Sequence, residues 1–423
     1  MPGHKGIGEH GEAYDITEIS EADSLYEASG IIAESEDIAG KLFGARTFYS
    51  TEGSSLAIRA MMYLVTAYAL ENGKTPTVLA GRNAHKVFVS AAALLGFNVE
   101  WLTSQSSSYL SCKLQAADIE NYLKGAKTIP TAVYLTSPDY LGNTADIKGI
   151  ADVCHSKGIL LIVDNAHGAY LNFLPTSKHP IALGADMCCD SAHKTLPALT
   201  GAAYLHVSPS APEIFSRMAK NAMALFGSTS PSYLILQSLD RTNPYIESGY
   251  KEKLSSFAKK VSELKSELEE AGYVFTGDEP IKLTLATKKY GYTGYEMASY
   301  LEGLGIIPEF SDPDYLVLML TPENGEIALA RLRGALLNLP KKAAIMTAPP
   351  ILALPRAMIS PRDAVLSRAE TVEVEKALGR ILASVTVGCP PAVPIVVSGE
   401  EIDAEAIECF KYYSIKTCSV IKQ

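Results

Sequence analysis

The sequence lacks the features that mark membrane-spanning, secreted and nucleic-acid-binding proteins. Its longest apolar runs are about ten residues, too short to cross a bilayer, and its N-terminus is polar and glycine-rich, unlike a signal peptide. Basic residues are in deficit, because 37 Lys and Arg stand against 47 Asp and Glu for a formal net charge of -10 at pH 7. No basic arm is present to bind a phosphate backbone. We therefore predict a cytoplasmic protein with no membrane and no nucleic-acid partner.

Cysteine is too sparse and too scattered to build a disulfide framework or a zinc site. The seven cysteines are odd in number and include no CxxC pair. We expect them to be buried, reduced thiols, and we expect no bound metal. The chain also shows no internal repeat and no low-complexity tract. Its 423 residues, 47% of them hydrophobic, are enough for a large domain and a smaller one.

From residue 31 onward, helical and strand-like patterns alternate, which is typical of a parallel sheet built from βαβ units. The hydrophobic spacing predicts helices over 54–71, 86–95, 114–123 and 146–157, and strands over 77–80, 99–103, 131–136, 159–163 and 201–207. A long charged amphipathic helix over 250–271 then leads into a smaller α+β region. We predict an N-terminal arm (1–24), a large domain (25–240), a small α+β domain that includes the connecting helix (241–345) and a C-terminal segment (346–423).

Two short apolar segments lead into the residues with the most informative chemistry. The aliphatic run 160–163 ends at Asp164, and the segment 185–189 is followed by Lys194. Ligands of open α/β sheets bind at the carboxyl edge, where we expect both residues to lie. A lysine there can form an imine while an aspartate keeps a pyridine nitrogen protonated. The pair therefore predicts a pyridoxal-phosphate (PLP) site; taken singly, a turn-forming Asp and a solvated Lys are the alternatives.

A third segment, residues 50–55, places hydroxyls and a glycine directly before a predicted helix. Backbone N–H groups and hydroxyls at a helix N-terminus form a seat for a phosphate group. The segment is therefore a candidate phosphate site, and a simple helix cap is the alternative.

Short motifs along nearly the whole chain resemble those of one enzyme family. They are PGHKG (2–6), DITEI (15–19), RNAHK (82–86), VDNAHGA (163–169), SAHKTL (191–196), STSPSY (228–233), SLD (238–240), PRDA (361–364), ALGRI (377–381), PPAVP (390–394) and GE (399–400). By these motifs the chain is similar to the Orn/Lys/Arg decarboxylases, a family of fold type I PLP enzymes.

The resemblance implies a fold, a reaction and an assembly. The fold is α/β, with a mostly parallel seven-stranded sheet between helices in a large domain and smaller C-terminal α+β domains. The reaction is the PLP-dependent decarboxylation of arginine, lysine or ornithine to CO2 and the corresponding amine, a polyamine or its precursor. The assembly is a homodimer with shared active sites.

The resemblance also implies roles for individual residues. Lys194 forms the internal aldimine, Asp164 pairs with the pyridinium nitrogen, and His85 stacks on the ring. His167 contacts the ring substituents or Asp164, and His193 orients the substrate or holds the phosphate.

Further residues are assigned to the cofactor phosphate by the same resemblance. They are Gly53, Ser54, Ser55 and Ser191 within the chain, and Thr229 and Ser230, which are implied to reach the phosphate of a neighbouring subunit.

Departures from the family pattern leave alternatives open. Glu52 puts a carboxylate beside the expected phosphate, Asn165 replaces the acidic residue common there, and Asp139 also departs. Another fold type I reaction, by an aminotransferase or a lyase, is one alternative, and a non-catalytic homologue is the other. The first motif follows Met1 directly, so we expect a short form with a truncated N-terminus. The distal carboxylate that would select the substrate is not placed by the sequence.

Overall fold

The computed structural model describes residues 2–104, 108–350, 353–385 and 391–422. Its helices are α1 (Ile31–Phe43), α2 (Gly53–Glu71), α3 (Lys86–Leu95), α4 (Ala116–Gly125), α5 (Ile147–Ser156), α6 (Ala192–Thr195), α7 (Glu213–Ala224), α8 (Tyr233–Glu247), α9 (Tyr250–Glu270), α10 (Gly294–Gly303), α11 (Gly325–Asn338), α12 (Pro361–Leu366) and α13 (Ala404–Tyr412). Its strands are β1 (Arg46–Ser50), β2 (Thr77–Gly81), β3 (Asn98–Leu102), β4 (Ala132–Thr136), β5 (Leu160–Asp164), β6 (Met187–Asp190), β7 (Ala203–Val207), β8 (Phe275–Thr276), β9 (Lys282–Ala286), β10 (Phe310–Ser311), β11 (Tyr315–Met319), β12 (Ala369–Glu373), β13 (Leu382–Ser384) and β14 (Thr417–Ile421).

The large sheet has seven strands in the order β1-β7-β6-β5-β4-β2-β3. Strands β2 to β6 pair in parallel, and β7 is antiparallel to both of its neighbours, β6 and β1. This arrangement confirms the predicted fold class, a mostly parallel seven-stranded sheet. The predicted strand over 201–207 exists, but its antiparallel direction is not a feature that hydrophobic spacing reports.

The central strand β5 shows why the sheet needs continuous aliphatic runs. Successive side chains of a strand point to opposite faces. Leu160 and Ile162 pack into the core on one face, and Leu161 and Val163 pack into the core on the other. Because helices cover both faces, each of these side chains is buried, and burial of a Leu, Ile or Val contributes roughly 1.5–3 kcal/mol.

One predicted helix begins later than its hydrophobic pattern suggests. Helix α4 starts at Ala116 rather than at residue 114, because Gln115 and Asp118 form a reciprocal capping box that sets its N-terminus. Leu114 instead packs in the core below the sheet, together with Leu79 and Val133.

Two smaller sheets follow the large one. A four-stranded antiparallel sheet has the order β10-β11-β9-β8, and a three-stranded sheet has the order β12-β14-β13. The expected smaller α+β regions after the large sheet are therefore present. Among the residues that the structure describes, no helix combines the length and apolar character needed to span a bilayer. The described cysteines are buried free thiols, whereas Cys389 and Pro390 lie outside the described residues.

The C-terminal segment packs against the large domain close to the carboxyl edge of the sheet. Arg82, just after β2, forms a 2.8 Å ion pair with Glu400 and donates to the carbonyl of Ile395. At the start of α3, the N–H of Lys86 donates to the carbonyl of Ala392 at 2.8 Å. These contacts bring residues after 390 up to the edge where the sequence predicts the site.

Candidate active site

A cavity of about 220 Å³ lies at the carboxyl edge of the large sheet. It is lined by five of the residues that the sequence singles out, namely Ser54, His85, Asp164, His167 and Lys194. The parallel strands β2, β4, β5 and β6 all end at this edge, so residues more than a hundred positions apart converge there. Pro391 and Val393 of the C-terminal segment close part of the wall.

Asp164, the last residue of β5, is a buried carboxylate whose hydrogen bonds are long. It accepts from the N–H of Ala166 at 3.2 Å, from the hydroxyl of Tyr134 at 3.3 Å and from the thiol of Cys189 at 3.6 Å. Burial raises the pKa of Asp164, which favours its neutral form. A cationic partner at the cavity would therefore stabilise its ionised form.

His85 has two roles, one structural and one in the cavity wall. It is the N-cap of α3, where its Nδ1 accepts from the N–H of Val87 at 3.1 Å. Burial lowers the pKa of His85 to about 4. The ring is therefore neutral at pH 7, with its proton on Nε2. The capping alternative and the predicted place in the wall thus both apply to this residue.

Lys194 lies in the short helix α6 and contacts His167. Its Nζ is 2.8 Å from Nε2 of His167, which follows β5. The other ring nitrogen of His167, Nδ1, is 3.0 Å from Nζ of Lys282 at the start of β9. Lys282 in turn forms a 2.5 Å ion pair with Glu279. Sequence analysis missed Lys282 and Glu279, although their spacing of three residues is a weak signal of an ion pair.

The predicted phosphate seat is formed in part at this cavity. Gly53 is the first residue of α2, and Ser54 at the cavity accepts a 2.9 Å hydrogen bond from the hydroxyl of Ser191. Ser55 is half-buried and is not among the lining residues. Glu52 is exposed, and its carboxylate accepts from the N–H of Ser228 at 2.6 Å. The carboxylate of Glu52 therefore has a hydrogen-bond donor in the backbone segment that precedes α8.

The remaining predicted residues do not line the cavity. His193 is fixed by a 2.9 Å hydrogen bond from its Nδ1 to the carbonyl of Ala202. Thr229 and Ser230 are exposed on the surface of the chain, outside the cavity. Their expected contact with the phosphate of a second subunit stays a prediction.

The departure at Asn165 is matched by a carboxylate on the adjacent strand. Asn165 donates to Asp190 at 2.7 Å, and the same carboxylate contacts His179 at 3.0 Å and His206 at 3.2 Å. Burial opposes ionisation of Asp190, but the two imidazoles lower its pKa overall. His179, Asp190 and Cys188 place potential metal ligands within 4.8 Å of one another, yet the hydrogen bonds already account for the cluster as a polar network.

Asp139 organises the loop that follows β4. Its carboxylate accepts from the N–H groups of Leu141 and Asn143, both at 2.9 Å. The loop places Tyr140 edge-on against His167, with ring centroids 5.1 Å apart. The departure at Asp139 therefore has a structural explanation, because the carboxylate holds the turn that presents Tyr140.

A further carboxylate in the cavity was not predicted. Glu309, just before β10, lines the cavity and accepts a 3.0 Å hydrogen bond from the hydroxyl of Tyr140. Glu309 lies in a loop of the small α+β region, so no strand-end pattern marks it.

Comparisons of the sequence with family models and with known proteins point to one family. The description "Orn/Lys/Arg decarboxylase, major domain" matches residues 4–276, and "Orn/Lys/Arg decarboxylase, C-terminal domain" matches residues 344–419. The chain is 31% identical over 422 residues to the uncharacterized protein YaaO of Bacillus subtilis, covering 93% of this chain and 84% of that one. It is 28% identical over 438 residues to an arginine decarboxylase of Halalkalibacterium halodurans, covering 95% and 87%.

Solved structures share the fold at low identity. The Francisella novicida lysine decarboxylase LdcF superposes with a TM-score of 0.80 at 18% identity, covering 100% of this chain and 78% of that one. An alanine–glyoxylate aminotransferase from Nostoc superposes with a TM-score of 0.58 at 15% identity, covering 72% and 85%. The fold alone is therefore common to decarboxylases and aminotransferases.

Proposed function

Because the chain belongs to the Orn/Lys/Arg decarboxylase family, we propose that it decarboxylates a basic amino acid, using PLP held at Lys194. The candidate substrates are arginine, lysine and ornithine. The proposal includes a cytoplasmic homodimer with shared sites, which rests on the family resemblance and on the net-negative composition. The alternatives to this function are an aminotransferase, a lyase and a non-catalytic homologue.

The residues at the cavity fit PLP. Asp164 is a buried carboxylate at a strand end, suited to a protonated pyridine nitrogen, and Lys194 supplies an amine to hold the aldehyde group. The hydroxyl of Thr136 is buried at the cavity and has no hydrogen-bond partner among the residues that the structure describes, as expected where a ligand completes the site. The hydroxyl of Ser54 in the first turn of α2 and that of Ser191, the N-cap residue of α6, would hold the phosphate. When bound, PLP accepts the electrons released as the bond between Cα and the carboxylate breaks.

The observation that carries the substrate class is the carboxylate of Glu309 in the cavity that also holds Asp164 and Lys194. Tyr140 fixes Glu309 by donating to its Oε1, so the carboxylate is oriented before a substrate arrives. A guanidinium or ammonium group at the far end of a basic amino acid would pair with it. A hydrogen bond to a charged group contributes roughly 1.5–3 kcal/mol.

The other residues of the wall would orient the substrate and restrict water. His85 is neutral and capped to the backbone, so it offers a flat, uncharged face to a ring. Pro391 and Val393 add apolar surface from the C-terminal segment. A loss of CO2 is favoured where the α-carboxylate is held away from water by such surfaces.

The test has two parts. Purified protein mixed with PLP should show the visible absorption band of the bound cofactor, and Lys194→Ala should abolish that band. The holoenzyme should then release CO2 and the corresponding amine from at least one of arginine, lysine and ornithine. Protein that stays colourless after incubation with PLP would contradict the proposal, and a keto acid in place of the amine would identify an aminotransferase.

The role of Glu309 is tested separately. Glu309→Gln should lower kcat/KM for the preferred basic amino acid roughly 10- to 150-fold, mainly through KM, as expected for a loss of about 1.5–3 kcal/mol. Glu302→Gln, at an exposed position of α10, is the matched control and should leave both constants unchanged. Equal kinetics for the wild type and Glu309→Gln would remove Glu309 from the substrate site.

A further inference from the structure

His167 lies between two lysines, and each of its ring nitrogens contacts one of them. Nε2 is 2.8 Å from Nζ of Lys194, and Nδ1 is 3.0 Å from Nζ of Lys282. His167 is 5% exposed, and both contacts are short enough to be direct. Burial, with the charge of Lys282 adding to its effect, lowers the pKa of His167 well below its ordinary value. The ring is therefore neutral and carries a single N–H.

Lys282 is the lysine that carries a charge in this arrangement. Its Nζ is 2.5 Å from Oε2 of Glu279, and the two side chains are 1% and 2% exposed. The hydroxyl of Tyr170 donates to the other oxygen of Glu279 at 3.0 Å, which stabilises the carboxylate form. A buried carboxylate needs a cationic partner, since an uncompensated charge in the core costs several kcal/mol.

The loop after β4 packs this ion pair tightly against the cavity. Gly142 has a φ of 82°, and a Cβ at that position would lie 3.1 Å from Cδ of Lys282 and 3.4 Å from Oε2 of Glu279. The backbone carbonyl of Gly142 also accepts from the N–H of Glu279 at 3.0 Å. The pair therefore has little freedom to turn away from His167.

The position of the single N–H proton on the imidazole determines which protonation state each of the two lysines can adopt. The ammonium of Lys282 has hydrogens to donate and no lone pair, so Nδ1 of His167 must accept. The imidazole proton then lies on Nε2 and points at Nζ of Lys194. An ammonium there would meet an N–H group head-on, whereas a neutral amine offers a lone pair.

We propose that the Glu279–Lys282 ion pair, acting through the tautomer of His167, holds the amine of Lys194 in its neutral, nucleophilic form. Lys282 and Glu279 are thus positioning residues, and Lys194 is the residue that reacts. The inference deepens the proposed function, on which it rests, because only a neutral amine can attack the aldehyde of a cofactor.

Other groups near Lys194 also affect its protonation, some favouring the ammonium and others the neutral amine. The titratable groups that surround Lys194 and His167 are Asp164, His85, His193, Lys282, Glu309 and Tyr140. The negative charges of Asp164 and Glu309 favour an ammonium at Lys194, whereas the N–H of His167 opposes it. The tautomer that Lys282 imposes on His167 therefore offsets part of the attraction between these carboxylates and an ammonium at Lys194.

The experiment measures the reactivity of Lys194 in the full chain freed of cofactor. Acetic anhydride labels neutral amines, and peptide mass spectrometry follows the labelling rate at Lys194 from about pH 6 to 10, around the range in which lysine and histidine titrate. In Lys282→Met, His167 can move its proton to Nδ1 and accept from an ammonium at Lys194. We expect the labelling rate at pH 7 to fall about tenfold or more, as one unit of displacement in the pH profile requires.

Two variants separate this effect from a structural one. Lys282→Arg keeps a permanent charge and should restore the wild-type pH profile, because arginine also donates to Nδ1. Lys288→Met breaks another buried ion pair, with Asp314 at 2.8 Å, and should leave the labelling of Lys194 unchanged. If Lys282→Met does not fold, the double variant Lys282→Met with Glu279→Leu removes both charges and should show the same displaced profile.

The outcome is independent of turnover. A Lys282→Met profile that coincides with the wild-type profile, in protein of unchanged circular dichroism, would overturn the inference. Failure of the wild type to form an amine from any basic amino acid would overturn the proposed function instead, and it would leave the labelling result intact.

Discussion

The ion pair between Arg82 and Glu400 joins the C-terminal segment to the large domain, and its removal should be costly. The guanidinium is 2.8 Å from the carboxylate, and the two side chains are 12% and 2% exposed. Arg82 also donates to the carbonyl of Ile395 at 3.0 Å and lies 4.9 Å from the ring centroid of Trp101. Arg82→Met keeps most of the aliphatic volume and deletes the charge.

The magnitude follows from burial. At 2.8 Å the attraction is roughly 6 kcal/mol for an effective dielectric constant of about 20, and desolvation of both groups offsets part of it. Removing one partner of a buried pair leaves the other uncompensated, at a cost of about 3–5 kcal/mol. For a chain of 423 residues that unfolds as one unit, this corresponds to a fall in Tm of roughly 3–6 °C.

The variant should also change the pH dependence of stability. Burial raises the pKa of Glu400, and Arg82 opposes that rise. Without Arg82 the folded protein binds a proton at Glu400 more tightly than the unfolded chain does, so stability falls as pH rises above the unfolded pKa of about 4.3. The loss of Tm should therefore be smaller at pH 5 than at pH 8.

Thermal unfolding followed by circular dichroism measures both effects. Arg333→Met is the matched control, because Arg333 pairs with Glu267 on the surface with 53% of its side chain exposed, and it should change the free energy of unfolding by less than about 1 kcal/mol. Limited proteolysis should also cut Arg82→Met faster in the C-terminal segment. A Tm within 1 °C of wild type at pH 8, on the order of the control, would refute the argument from burial.

Two further predictions concern buried groups near the site. Asp190→Ala should lower the free energy of unfolding by about 3 kcal/mol or more in denaturant titrations, because it removes the acceptor that His179, His206 and Asn165 share. Asp190→Asn keeps an amide oxygen as an acceptor and should recover part of that loss. The pKa of His85 is about 4 in the folded chain and about 6.5 in the unfolded chain. As pH falls between these two values, the unfolded chain binds a proton at this residue and the folded chain does not. Wild-type stability should therefore fall between pH 6.5 and 4, and His85→Gln should flatten that part of the profile in thermal melts.

Much of the large sheet could be predicted because periodicity and strand ends report local chemistry. The aliphatic run before Asp164 predicted a strand buried on both faces, and the structure places it at the centre of the sheet. The convergence of Asp164 and Lys194 followed from the rule that parallel strands present their carboxyl ends at one edge, whereas the place of His85 was implied by the family resemblance. The antiparallel direction of β7 could not be predicted in this way, because an aliphatic strand has the same pattern in either direction.

The departures at Asn165 and Glu52 were harder to interpret because each depends on a partner distant in the sequence. Asn165 suggests a lost charge when taken alone, but the carboxylate of Asp190 lies 2.7 Å from its amide nitrogen on the adjacent strand. Glu52 suggests repulsion of a phosphate, but it is held by the N–H of Ser228. A single sequence contains both members of each pair without indicating that they meet.

Lys282 shows the limit of pattern-based inference most clearly. It stands between Ile281 and Leu283 in an alternating strand, where a lysine is ordinarily expected on the solvent face. The structure buries it instead, because Glu279 neutralises its charge and His167 accepts its hydrogen bond. A buried charge such as that of Lys282 is retained only where partners of this kind compensate it. Because Lys282 contacts the histidine that contacts Lys194, we expect its effect on the protonation of Lys194 and not only on the stability of the fold.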